Sequence, residues 1–103
     1  MGWSCTKAAS DTLRNFYDAC RKQTGGQNTF KVGKRDYFIE TDNIEHPDGS
    51  ITGEIQRIAT DGTSSKVDDF KIDGLSGKMM LGMKFTKEAA NVESQKFLRH
   101  SAR

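Results

Sequence analysis

The chain has 103 residues, 34% of them hydrophobic and 29% charged, with a formal net charge of +2 at pH 7. That length makes one domain and is too short for two independent cores, and the six Phe, two Tyr and one Trp exclude a disordered chain. No stretch approaches the roughly 20 apolar residues of a membrane helix, so no membrane partner is expected.

Residues 6–23 are predicted to form a helix, because Ala9, Leu13, Phe16, Tyr17 and Cys20 recur on one face. Ser4 or Thr6 offers an N-cap oxygen, and Gly25-Gly26 offers a left-handed stop after Arg21 and Lys22. A short strand follows at Thr29 to Val32, turned by Gly33-Lys34-Arg35 into a second strand over Asp36 to Thr41. His46-Pro47-Asp48-Gly49-Ser50 reads as a turn: proline presets φ, aspartate bonds the nearby backbone, and glycine accepts a positive φ.

Ser50 to Ile58 resumes as a strand with Ile51, Gly53 and Ile55 alternating. After the loop Thr60 to Ser65, a fourth strand covers Val67 to Ile72. The spacing from Val67 to Phe70 breaks its alternation, which predicts a bulge. Past the turn Gly74 to Gly77, the run Lys78 to Phe85 reads as a fifth strand. Its Met79, Leu81, Met83 and Phe85 would form one buried face, with Met80 and Gly82 on the other. Thr86 would cap a final helix over 87–100, with Ala90, Ser94, Phe97 and Leu98 inward.

The expected fold is α+β: an N-terminal helix packed on a five-stranded antiparallel meander, closed by a C-terminal helix. Helix-then-meander order resembles the cystatin-like arrangement, a likeness of topology that carries no function.

Cys5 and Cys20 are 15 positions apart. Along a helix that is about 22 Å, against the roughly 4.4–6.8 Å between the Cα atoms of a disulfide. Cys20 therefore reads as a small core residue. Met1 to Lys7 hold no apolar run of a secretory signal, and with unpaired cysteines this points to a reducing, cytoplasmic setting.

Charge is polarised along the chain. Residues 1–35 hold seven Lys/Arg and two acids, residues 36–73 three and ten, and residues 74–103 six and two. An acidic middle between basic ends either neutralises itself in the fold or leaves surfaces of opposite sign for a charged partner. The acidic strand-turn-strand region holds Glu40, Asp42, Glu45, His46, Asp48 and Glu54, which suit a basic protein partner. No cofactor or metal is expected there. A calcium loop begun at Asp42 would put Pro47 where glycine is required, and one begun at Asp48 would end on Ala59 rather than a glutamate. His46 and His100 are the only histidines, and neither stands beside a Ser or Cys nucleophile motif.

Two other classes are readable. Phe30, Lys31, Lys34, Arg35, Tyr37 and Phe38 interleave aromatics with bases on one hairpin, as a nucleic-acid or ribosome binder would. Arg21, Lys22, Lys96, Arg99 and Arg103 could extend that patch. Gly25-Gly26-Gln27-Asn28-Thr29-Phe30-Lys31-Val32 resembles the Gly-Gly-Gln loop of class I peptide-chain release factors and their small ribosome-rescue relatives. The resemblance implies a peptidyl-tRNA hydrolase with Gln27 in the reactive loop. It covers those residues alone, and a predicted helix precedes them where the family has a strand.

A last feature concerns partners of another kind. Met79, Met80 and Met83 are close together, and a fifth strand at the sheet edge could pair with a partner chain or with itself. Trp3 would be either a lid over the core or an exposed anchor. The leading expectation is a non-catalytic binding module acting on another protein. In size, charge and lack of a catalytic constellation it resembles small accessory or inhibitory proteins of phage and mobile elements.

Overall fold

A computed structural model describes residues 4–90. Helix α1 (Lys7–Thr24) is followed by strands β1 (Thr29–Val32), β2 (Arg35–Thr41), β3 (Ile51–Ile58), β4 (Ser64–Ile72) and β5 (Met79–Leu81). A second helix, α2, begins at residue 83 and is described to residue 90. The strands pair antiparallel in chain order as one sheet, so the expected α+β meander with a helix at each end is the fold observed.

Thr6 caps α1: its backbone is extended and its hydroxyl accepts from the Ala9 amide at 3.1 Å. Gly25 ends the helix at φ 82°, its amide donating to Arg21 O at 2.9 Å. Ala9, Leu13 and Cys20 are the buried side of the helix. Both cysteines are free thiols.

One face of the sheet packs under α1. It carries Tyr37 and Ile39 from β2, Ile51 and Ile55 from β3, and Phe70 and Ile72 from β4, all buried. Each such side chain contributes about 1.5–3 kcal/mol by leaving water. Gly53 lies among them because the Phe70 ring crosses where its Cβ would be. The expected bulge is present: Ile55 faces Asp68 and Gln56 faces Lys66, so Val67 is the extra residue.

β5 is shorter than its alternating run of residues predicts. The strand covers only Met79–Leu81, and the chain then breaks at Gly82 into α2. Met83 is therefore a helical residue 70% exposed, and Leu81 is 42% exposed, not members of a buried strand face. Thr86 does not cap a helix; it lies inside α2, its hydroxyl donating to Gly82 O at 2.9 Å. The cap comes from another strand. Asp68 of β4 accepts the Phe85 amide at 2.9 Å, filling the role that Gly82, without a side chain, leaves open. A Cβ on Gly82 would collide with that carboxylate.

Phe85 drops from α2 into an aromatic cluster, 5.1 Å from Tyr37 and 6.0 Å from Phe30 by ring centroids. Glu88 fastens the next turn, taking the Tyr37 hydroxyl and the guanidinium groups of Arg57 at 3.0 Å and Arg35 at 3.2 Å. Burial pushes the Glu88 carboxyl up, but the Tyr37 hydrogen bond and the two arginines together hold it below its ordinary value. Of the expected inward stripe, Ala90 is exposed and its neighbour Ala89 packs against the core instead; Ser94, Phe97 and Leu98, and also Trp3, lie outside the described residues.

Candidate functional site: the acidic face of the sheet

Strand register decides which charges meet. Glu40 of β2 is opposite Glu54 of β3, and Glu54 is opposite Asp69 of β4. Three carboxylates thus form one lateral row on the face turned away from α1. Directly opposed side chains on a sheet stand about 4.5–5.5 Å apart at Cβ, and like charges there are destabilising. Lys66 partly offsets the row, with its ammonium 3.0 Å from Asp69. Asp69, Glu54 and Asp68 together raise the Lys66 pKa, the Asp69 hydrogen bond most of all.

A second row lies beside the first. Asp42 accepts the Thr52 hydroxyl at 2.7 Å, and Thr52 is opposite Lys71, which is opposite Met80 of β5. His46 Nε2 lies 2.7 Å from the Thr52 hydroxyl oxygen. The one hydroxyl proton of Thr52 goes to the carboxylate, so Nε2 is the donor to Thr52. That chain ties the β2–β3 loop to the acidic face. Lys71 leans toward the loop instead, 3.8 Å from Asp48. Hydrogen bonding from Ser50, with Lys71 close by, holds the Asp48 carboxyl below its ordinary value.

Of the expected site residues, Glu40, Asp42, Glu54 and His46 are brought onto this face. Asp48 reaches it through Lys71, and Glu45 is exposed on the loop, beside a shallow cleft lined by Cys5, His46 and Asp48. Sequence reasoning missed Asp69, Thr52 and Lys66. Their signal lay in the hairpin register, which the bulge at Val67 shifts by one. Across these two rows and Lys66, four carboxylates against two lysines make an acidic patch beside the half-buried Phe38; the Lys31–Asp36 ion pair farther along the same face is neutral. Among the described residues no group of His, Cys, Asp and Glu is placed to hold a metal ion.

The hairpin expected to bind nucleic acid is used differently. Tyr37 is fully buried, and Phe30 stacks on it at 5.5 Å with Phe16 at its edge, so neither ring is open to a base. Lys31 is paired with Asp36 at 2.7 Å and Arg35 with Glu88. Lys34 is exposed at the turn and forms no ion pair among the described residues. Arg21 is paired with Asp18, while Lys96, Arg99 and Arg103 lie outside the described residues.

The Gly-Gly-Gln segment is a helix stop. Gly25 supplies the left-handed residue, and Gly26 sits where a Cβ would strike the Thr29 hydroxyl. Thr24 organises the loop, bonding Thr29 Oγ1 at 2.7 Å and the Gly26 amide at 3.1 Å. Gln27 is exposed beyond it. No protein-family model, curated protein or solved structure matches the chain. Among the described residues, no helix is long and apolar enough to cross a membrane.

Proposed function

We propose that this chain is a non-catalytic binding module, of accessory or inhibitor type, whose acidic sheet face receives a lysine- or arginine-rich segment of another protein. The observation that carries the reading is the in-register row Glu40, Glu54 and Asp69. A fold gains nothing from opposing three carboxylates with one lysine between them, and a cationic partner relieves the repulsion on binding. Phe38 at the margin supplies apolar contact beside the charge.

Calorimetry with a lysine-rich peptide tests this. The wild-type chain binds it, and raising salt weakens the interaction. The double change Glu40→Gln, Glu54→Gln lowers affinity at least tenfold. Asp11→Asn with Asp18→Asn removes the same charge from α1 and leaves affinity within about twofold. Equal losses in the two variants would reduce the effect to net charge and remove the site.

A further inference from the structure

The two edges of the sheet are treated differently by the fold. At the β1 edge, Lys31 turns its amide and carbonyl outward, and the Gln23 side chain of α1 satisfies both, at 2.9 and 3.2 Å. The outward carbonyl of Thr29 lies 3.1 Å from the Thr24 hydroxyl oxygen, against the end of α1. That edge is closed to another strand. At the β5 edge, Lys78 O accepts from the Asp73 amide at 2.8 Å and the Gly82 amide donates to Asp69 O at 3.0 Å. By alternation Met80 also bonds inward to β4. The amides and carbonyls of Met79 and Leu81 therefore point away from the sheet, with no hydrogen-bond partner among the described residues. Around them lie the exposed apolar side chains Leu75, Met80, Leu81 and Met83.

We propose that the β5 edge pairs antiparallel with β5 of a second copy of this chain, joining two sheets across a two-fold axis at Met80. The register follows from the outward groups. Met79 exchanges both its hydrogen bonds with Leu81 of the second copy, and Leu81 with its Met79, so every outward amide and carbonyl is satisfied. Met80 meets Met80 in the close, non-hydrogen-bonded position, and Met79 meets Leu81 on the other face, apolar against apolar throughout. Lys78 falls opposite Gly82, so no lysine faces a lysine.

The arrangement is self-complementary and closed. Because α1 blocks β1, the sheet offers one open edge among the described residues, and pairing stops at two rather than extending into a fibre. The strand is three residues long, so the dimer is weak and concentration-dependent.

Sedimentation velocity from about 10 μM to about 1 mM covers the range in which a small interface associates. A reversible monomer–dimer equilibrium is expected, with new hydrogen-exchange protection at the Met79 and Leu81 amides in the dimer. Met80→Lys sets two ammonium groups against each other at the axis and abolishes the dimer. Leu81→Pro removes an amide that bonds nothing in the monomer, so the chain folds but does not pair. Lys34→Glu, at the far turn, dimerises as the wild type does. A chain monomeric across the whole range, or a dimer that survives both edge variants, overturns the proposal. Peptide binding at the acidic face is read separately, so either result can fail without the other.

Discussion

Glu40 and Glu54 stand directly opposite each other on β2 and β3, on the face of the sheet that α1 does not cover. Asp69 continues the row on β4. In a free, folded chain this arrangement opposes folding, and Glu54→Gln relieves it from the centre of the row. The amide still accepts the Gln56 side chain that Glu54 now holds at 3.2 Å. The variant is expected to be more stable by about 0.2–1 kcal/mol. Urea unfolding would show a higher midpoint with an unchanged slope. Added salt should narrow the difference, because it screens the wild-type row.

Helix α2 depends on a carboxylate from another strand. Asp68→Ala leaves the Phe85 amide without its acceptor and costs about 1 kcal/mol, the usual loss for an N-cap. Hydrogen exchange should speed up at residues 83–86 before it changes in β2 or β3. Uniform acceleration across the sheet would mean that Asp68 supports the core and not the helix start.

The Glu88 cluster makes stability depend on acid. Glu88 has a folded pKa below its ordinary 4.5 because Tyr37, Arg57 and Arg35 outweigh burial. A lowered carboxyl contributes stability above its unfolded pKa and loses it as pH falls through the folded one. Asp68 is lowered too, chiefly by the Phe85 amide. Melting temperature should therefore fall as pH drops from about 5 toward 3. Glu88→Gln should lower stability near neutrality by about 1 kcal/mol and flatten that fall.

Gly25 separates a helix stop from a reactive loop. Nothing lies near its missing Cβ, so Gly25→Ala adds only left-handed strain, about 1 kcal/mol. Gly25→Asn tolerates that conformation and should recover most of the loss. Gln27→Ala should change neither stability nor peptide binding. Peptidyl-tRNA hydrolysis lost on Gln27→Ala would revive the enzyme reading.

The parts of the fold that were legible in the sequence rest on local chemistry. Thr6, the apolar face of α1 and Gly25 define a helix from neighbours a few positions apart. Pro47, Asp48 and Gly49 announce their turn, in which Asp48 accepts the Ser50 amide at 3.0 Å. The bulge at Val67 was visible as a broken alternation. What was illegible depended on distant partners. Met79, Leu81, Met83 and Phe85 alternate like a strand, but an Asp68 carboxylate reaching Phe85 starts a helix within that run. Phe30 and Tyr37 looked like a base-stacking pair until Phe16 and Phe85 closed around them. Glu40 and Glu54 were legible as acids of one segment. Asp69 joined them only through the sheet register.

The most direct test of the binding face is an amide NMR titration of the wild-type chain with a lysine-rich peptide, run at low salt. Shifts concentrated at Glu40, Asp42, Thr52, Glu54 and Asp69, and weakened near roughly 0.2 M salt, are the predicted result. Shifts elsewhere, or none with the peptide but salt-sensitive shifts around Lys34 with an oligonucleotide, would contradict it.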